Sequence, residues 1–364
     1  MHSAGWQLMS RRLSNYIGIN VLSAIAVALT AIVGLDVVAS IIDQMGDIRR
    51  NYQFVDVLIY TATKLPSTIY EYIPLASLIG CLVGLGMLAT NSEVVVMRAA
   101  GVSLMRIVYL VFKPVLVFIL LAALIGEYFS PYLDQLADSK REYLRKGESA
   151  LDSTSGFWAK EGSEFIHFNA VFPGGVLFGV TRYRLNDLRE LQEASFSSRA
   201  TFNKTEGFWV EENVSSTLFA DQQTYTKKWV TREWQTELTP EVLALNILPA
   251  EALSAGSLND HIEFLEERKA DSAQYRLAFW SKVLQPLAIF SLVLVGIAFV
   301  FGPLRQATVG FRVFVGVLFG ISFKLLSDIL GPLSIVFEMP PILAILTPIV
   351  ICFAIGYVLL RRAG

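Results

Sequence analysis

A chain of 364 residues with 54% apolar and 17% charged side chains lies outside the norm for soluble domains, which is roughly 45–50% and 25%, and its mean hydropathy is +0.51. A wholly soluble globule is excluded, as is a disordered or collagen-like chain, and a net charge of −2 gives no general case for a nucleic-acid partner. The two cysteines, Cys81 and Cys352, lie inside apolar runs, so no disulfide framework is expected.

A helix needs about 20 predominantly apolar residues to cross the hydrocarbon. Leu13 to Leu35 is charge-free, and the run continues through Asp36 to Ile42. Tyr72 to Ser92 follows, with an apolar approach from Phe54 that contains Pro66 and Pro74. Ile107 to Phe129 is broken only by Lys113 and Glu127. Residues 131–271 then hold 23 of the 32 acids and 15 of the 30 bases, a local balance of −8, while the flanks together carry +6. Beyond them, Val283 to Leu304 is charge-free, Val313 to Leu330 carries Lys324 and Asp328, and Met339 to Leu360 is clean. The pattern predicts a membrane α-helical bundle of six transmembrane helices with an inserted soluble domain. Its divisions are 1–130 with three spans, 131–271, and 272–364 with three more.

Short basic flanks set direction. Arg11, Arg12, Arg98, Arg106, Arg305, Arg312, Arg361 and Arg362 fall on one side, against Arg49 and Arg50 on the other. The first side is expected to be cytoplasmic with both termini, and the insert exported. Arg11 and Arg12 lead straight into a full-length span, so no cleavable signal is expected. The insert reads as all-β. Glu164–Phe168, Val176–Val180, Ser195–Phe202, Gly207–Glu211 and Thr226–Trp234 are rich in aromatic and β-branched residues. Pro173-Gly174-Gly175, Asn186-Asp187 and Asn203 to Gly207 punctuate them, which suggests a sandwich or jelly roll. Both connectors look helical. One covers Pro131 to Glu148, and the other opens at a capping box, Ser257-Leu-Asn-Asp260, and runs through Lys269.

No catalytic constellation, metal-ligand spacing or phosphate loop is present. His2, His167 and His261 are scattered, and neither a G-x-S-x-G elbow nor a G-x-x-x-x-G-K-[ST] loop occurs. The expectation is a non-enzyme that binds no cofactor or metal, with any ATP and Mg on a partner chain. Asn91-Ser-Glu-Val-Val-Val-Met-Arg-Ala-Ala-Gly101 is apolar where a plain connector would be polar. Glu93 near its start and Arg98 near its end suit a short helix dipole. Two readings stand side by side: a coupling helix seated in a groove of a cytoplasmic ATPase, or an interfacial helix lying on the membrane. Asp36, Lys64, Glu71, Lys113, Glu127, Lys324 and Asp328 are ionisable groups in or beside spans, and Lys324 with Asp328 has i, i+4 spacing. Arg49, Arg50 and Lys64 cluster toward the exported side, fitting either an anionic substrate or ordinary loop solvation. Gly80, Gly84 and Gly86 suit close helix packing. In the β insert, Phe165, Phe178, Phe196 and Trp209 could line an acyl-chain trough or fill a closed core.

Gly84-Leu-Gly-Met-Leu-Ala89, continued by Ser92-Glu-Val-Val-Val-Met-Arg98-Ala-Ala-Gly101, resembles the LptF/LptG permease family. Gly156-Phe-Trp-Ala-Lys160, Trp280-Ser-Lys-Val-Leu-Gln-Pro286, Phe301-Gly-Pro-Leu-Arg305, Leu330-Gly-Pro-Leu333 and Pro340-Pro341 add to the likeness. The Gly156-Phe-Trp-Ala-Lys160 and Phe301-Gly-Pro-Leu-Arg305 strings stand closer to the LptG branch than to the LptF branch. The resemblance implies a permease half of an ATP-driven ABC exporter that extracts lipopolysaccharide from a Gram-negative inner membrane. It implies pairing with LptF, an LptB ATPase dimer below, regulation by LptC, and a periplasmic jelly roll handing lipid to an LptA bridge. Glu93 and Arg98 would couple to the ATPase. One departure is visible: family members can carry a lysine in the outer part of the first span, where Val37 to Ile42 has none. Arg49, Arg50 or Lys64 would take over its substrate contact. The rival readings are a membrane enzyme that modifies envelope lipid, the sibling permease LptF, and a scaffold or sensor.

Overall fold

The computed structural model describes residues 2–48, 51–146, 157–172, 175–186, 188–220, 223–240, 243, 249–267 and 271–363. They fall into two compact units. The first comprises Met1–Val38, Leu65–Ser130 and Ser254–Gly364, the second Ala39–Lys64 and Pro131–Leu253. The second unit thus takes in residues 39–64 besides the insert.

Among the described residues, six helices are long and apolar enough to cross a membrane. They belong to α1 (His2–Met45), α2 (Phe54–Thr90), α4 (Leu104–Leu124), α7 (Ala273–Phe301), α8 (Val309–Val336) and α9 (Pro341–Ala363), with the short α3 (Glu93–Ala99) between the second and third. Every span except the first contains an internal proline: Pro66 and Pro74, Pro114, Pro286, Pro332 and Pro348. Membrane helices tolerate these because neighbouring groups re-satisfy the freed carbonyls. In the first unit α2 is the central rod. About 67% of its most apolar stretch is buried, against 11% for α1 and for α8. Leu78, Leu82 and Leu85 of α2 pack with Ile17, Val21 and Ile25 of α1, Val111 and Val115 of α4, and Ile289, Val293 and Ile297 of α7. Gly80 lies against the backbone of Ile25, and Gly84 has space for a Cβ only 3.1 Å from Val21 Cα. These two glycines do serve close helix packing.

α4 ends in a π-helical turn, Ile125–Phe129, that leads into α5 (Ser130–Lys146), the expected first connector. The second connector, α6 (Ala255–Glu267), corrects the sequence reading. The Ser257 to Asp260 string lies inside the helix, not at its start. The Ser254 hydroxyl accepts the Ser257 N–H at 3.1 Å, and the Glu127 carboxylate accepts those of Ala255 and Gly256. A cap from far along the chain leaves no local signature.

Among the described residues of the second unit seven antiparallel strands form one sheet: β1 (Phe157–Glu161), β2 (Glu164–Phe168), β3 (Ala170–Phe172), β4 (Val176–Leu185), β5 (Leu191–Asn203), β6 (Phe208–Ala220) and β7 (Gln223–Trp234). The order is β1-β2-β4-β5-β6-β7 with β3 beside β4, so the chain folds up and down. All five segments expected to be strands are strands, three of them much longer than their apolar cores, and β1 and β3 are additional. The expected turn at residues 203–207 is present, closed by Gly207 at φ +76°; Pro173, Gly174 and Asp187 lie outside the described residues.

One face is packed. Ile166, Phe168, Leu177, Ala200, Trp209 and Trp234 form its apolar core, and the Trp209 indole donates to the Leu238 carbonyl at 2.8 Å. The alternation restarts midway along the strands. Gly179 on β4 and Asn213 on β6 have φ of +61° and +53°, so the buried positions shift from Leu177 to Val180 and from Glu211 to Val214. The side chains beyond this line, on the same face, are polar: Arg182, Glu193, Ser195, Ser197 and Ser216.

Candidate functional site

The apolar loop helix α3 follows Ser92, whose left-handed backbone (φ 59°) turns the chain sharply after α2. Gly101 at φ +86° turns it again before Ser103 caps α4 by accepting the Arg106 N–H. Val94 is buried in the bundle core and Met97 packs beside it. Val95 and Val96 are 49% and 66% exposed, and Arg98 is exposed beside them. Glu93 is half-buried, accepts a long hydrogen bond from Asn91 and meets the Tyr16 hydroxyl. One side of this seven-residue helix is thus anchored in the bundle while the other exposes two valines and Arg98.

Of the expected anionic-substrate trio, Arg49 and Arg50 lie outside the described residues. Lys64 points to Asp138 on α5 at 2.9 Å, with the Tyr60 hydroxyl donating to the same carboxylate at 3.1 Å. Arg141 pairs with Asp47. Beside these pairs a cavity of about 230 Å³ is lined by Tyr52, Tyr60, Thr63, Leu136, Lys140 and Arg141. Lys64 and Arg141 are thus each met by an acid far off in the chain.

The four aromatic positions expected to line an acyl path do not share one stripe. Trp209 is fully buried in the core. Phe178 is packed between Tyr143 of α5 and Phe172, with ring centroids at 5.0 and 5.2 Å, while the Ser139 hydroxyl donates to the Val171 carbonyl nearby. Phe165 and Phe196 pair in register with Tyr183 and Thr181 of β4, which places them together on the face opposite the core; Phe165 is 36% exposed.

The polar half of the packed face holds a network invisible in the sequence pattern. Arg232 donates to Glu211 and Glu193, each at 2.8 Å, and to Ser195 at 3.0 Å. Arg182 lies 3.6 Å from both Glu164 and Glu211, and Arg184 lies 3.3 Å from Glu193. Three guanidiniums thus face three carboxylates. Burial by itself raises the Glu193 carboxyl, but the Ser216 hydroxyl, donating at 2.7 Å, and Arg232 outweigh it and hold the group below the usual carboxylate range. Burial pushes the Arg182 guanidinium down.

Among groups flagged in or near spans, the Tyr72 hydroxyl donates to Asp36 at 2.8 Å, and Lys113 lies over the Tyr109 ring. Lys324 pairs with Glu71 at 2.8 Å and more loosely, at 3.8 Å, with Asp328, so the i, i+4 partner is the weaker one. His261 is buried against Tyr275, and burial lowers its basicity. No group of three His, Cys, Asp or Glu able to hold a metal occurs among the described residues.

Comparison with known proteins gives one consistent picture. The family described as lipopolysaccharide export system permease LptF/LptG matches residues 15–362. The chain is 34% identical over 352 residues to the lipopolysaccharide export system permease protein LptG of Escherichia coli strain K12, covering 96% of this chain and 98% of that protein. It is 30% identical over 355 residues to the protein of the same name from Haemophilus influenzae, covering 97% and 99%.

Proposed function

The chain belongs to the LptF/LptG family of lipopolysaccharide export permeases, and from that premise we propose that it is the LptG-type permease subunit of an ATP-driven exporter of lipopolysaccharide. In this reading it lies in a Gram-negative inner membrane with both termini cytoplasmic and the β domain periplasmic. LptF is its membrane partner, an LptB dimer supplies ATP hydrolysis, LptC regulates, and LptA receives the lipid. The observation that carries the reading is α3, which holds Val94 in the bundle while offering Val95, Val96 and Arg98 outward. Glu93 at its start would meet a basic or polar group of the ATPase.

Substrate capture belongs to the same proposal. Arg49, Arg50 and Lys64 would meet lipid phosphates, for which arginine forks are suited; Lys64 would exchange Asp138 for phosphate on binding. Of the aromatic positions, Phe165 and Phe196 would contact acyl chains most directly, since Trp209 is sealed in the core and Phe178 is covered by Tyr143. β7 closes one edge of the sheet, and nearly all of its length is exposed, which supports strand-to-strand docking of the next β domain. The test is co-purification with a cytoplasmic ATPase, followed by ATP-driven lipopolysaccharide release from proteoliposomes. A chain that retains no ATPase, or releases lipid equally without ATP, would sink the reading.

A further inference from the structure

Arg312, the fourth residue of α8, is completely buried. Its four hydrogen bonds all go to oxygens without formal charge: Gly86 O at 2.7 Å, Thr90 Oγ1 at 3.0 Å, Arg305 O at 3.1 Å and Leu304 O at 3.2 Å. A buried cation is costly unless fixed dipoles replace its water. Two of these acceptors stand at the C-terminal end of α2, where the helix dipole is negative. The other two belong to the loop between α7 and α8, within the Phe301-Gly-Pro-Leu-Arg305 string. One guanidinium therefore joins the end of α2, that loop and the start of α8.

Gly86 shows how closely the parts fit. A Cβ there would stand 2.6 Å from Arg312 Nη1 and 2.8 Å from Cδ. Unlike Gly80 and Gly84, this glycine is small to admit a side chain, not a neighbouring helix. Only Asn91 and Ser92 separate α2 from α3, and Ser92 is held at its left-handed corner. The direction of α3 is thus inherited from the last turn of α2, which Arg312 holds.

We propose that Arg312 is a positioning residue for energy coupling. It makes the end of α2 and the start of α8 one stiff body, so that displacement of α3 moves both spans together. The proposal rests on the reading above, in which α3 docks on the ATPase. Loosening the guanidinium would leave ATP hydrolysis running while less lipid moves.

The test uses the assembled complex in proteoliposomes, with ATP hydrolysis and lipopolysaccharide release measured in parallel. Arg312→Gln is expected to keep hydrolysis within about twofold of the parent and to lower lipid released per ATP by about fivefold or more, given the weight of charge-assisted hydrogen bonds. Arg312→Lys should fall between, because an ammonium restores charge at the helix end but not the fork. Spin labels at Ala100, which directly follows α3, and Gly310, both exposed, should show a narrow distance distribution in the parent that broadens in Arg312→Gln. Should that variant fail to assemble, Thr90→Val removes one acceptor of Arg312, together with the hydroxyl's own bond to Gly86 O, and is expected to cost about twofold in lipid per ATP. Variants that assemble with parental lipid-to-ATP ratios and parental label distances would overturn the inference. A parent complex that releases no lipid with ATP would instead overturn the functional reading on which it stands.

Discussion

Glu127 caps a helix that begins 128 residues further along the chain: its Oε2 accepts the Ala255 N–H at 2.9 Å and its Oε1 the Gly256 N–H at 3.1 Å. An acid at the end of a membrane span usually signals substrate or proton chemistry. Here it neutralises orphan donors at a helix start. Glu127→Ala should destabilise the chain by about 1–2 kcal/mol and raise amide exchange in the first turn of α6, while Glu127→Gln, which keeps one acceptor, should lose less. Equal stability of all three chains in detergent would refute the capping role.

On α3, Glu93→Ala should weaken association with the ATPase by about 10- to 150-fold, the weight of one hydrogen bond to a charged group. Val96→Asp should do the same by placing a charge in a desolvated seat, with no change in the fold because Val96 is 66% exposed. Quantitative pull-down of the ATPase from membranes measures both. Parental affinity in Val96→Asp would mean that α3 seats elsewhere.

The β domain should weaken in acid. Glu193 is held below the ordinary carboxylate range, so the stability it lends is complete above the unfolded value of roughly 4.3 and is lost as pH falls through the lower folded value. Amide protection in β5 and β6, compared at neutral pH and below about pH 4, should show this loss. Glu193→Gln should be weaker at neutral pH and show a smaller acid dependence. The same acid dependence in both chains would exclude Glu193 as its source.

Lys64 and Asp138 are each about a third exposed, so their pair should be modest. A double-mutant cycle with Lys64→Met and Asp138→Asn should give a coupling of about 0.2–1 kcal/mol. Asp138→Asn should also weaken the hold on Lys64 and strengthen capture of lipopolysaccharide by photo-crosslinkers beside it. Weaker capture in that variant would contradict the exchange of Asp138 for phosphate.

What the sequence made legible depends on how local the cause is. Six apolar runs of membrane length need no partner to be read, and strands such as Glu164–Phe168 declare themselves by composition. Glu127, Lys64 and Arg312 were visible as charges, but their roles depend on Ala255, Asp138 and Gly86, respectively, which lie far off in the chain. Arg312 in particular reads in the sequence as one more basic flank residue, yet it is buried among carbonyls. The Ser257 string misled because it has the right letters three residues too late. The charged half of the packed sheet face stayed hidden for another reason: once the alternation restarts at Gly179 and Asn213, a period of two no longer tells inward from outward.

That same restart governs how faithfully the sheet assembles. A plain alternating strand that slips by two residues keeps its greasy side inward and forms a near-native decoy. Here a slip of two would move the positive-φ positions Gly179 and Asn213 off their common line and force Thr181 or Ser215 into a left-handed backbone. It would also pull Glu211 from Arg232 and leave buried charges alone. The kink and the ion ladder therefore act as a checksum on strand pairing, penalising misregistered intermediates before β7, with its open edge, can join a wrong neighbour.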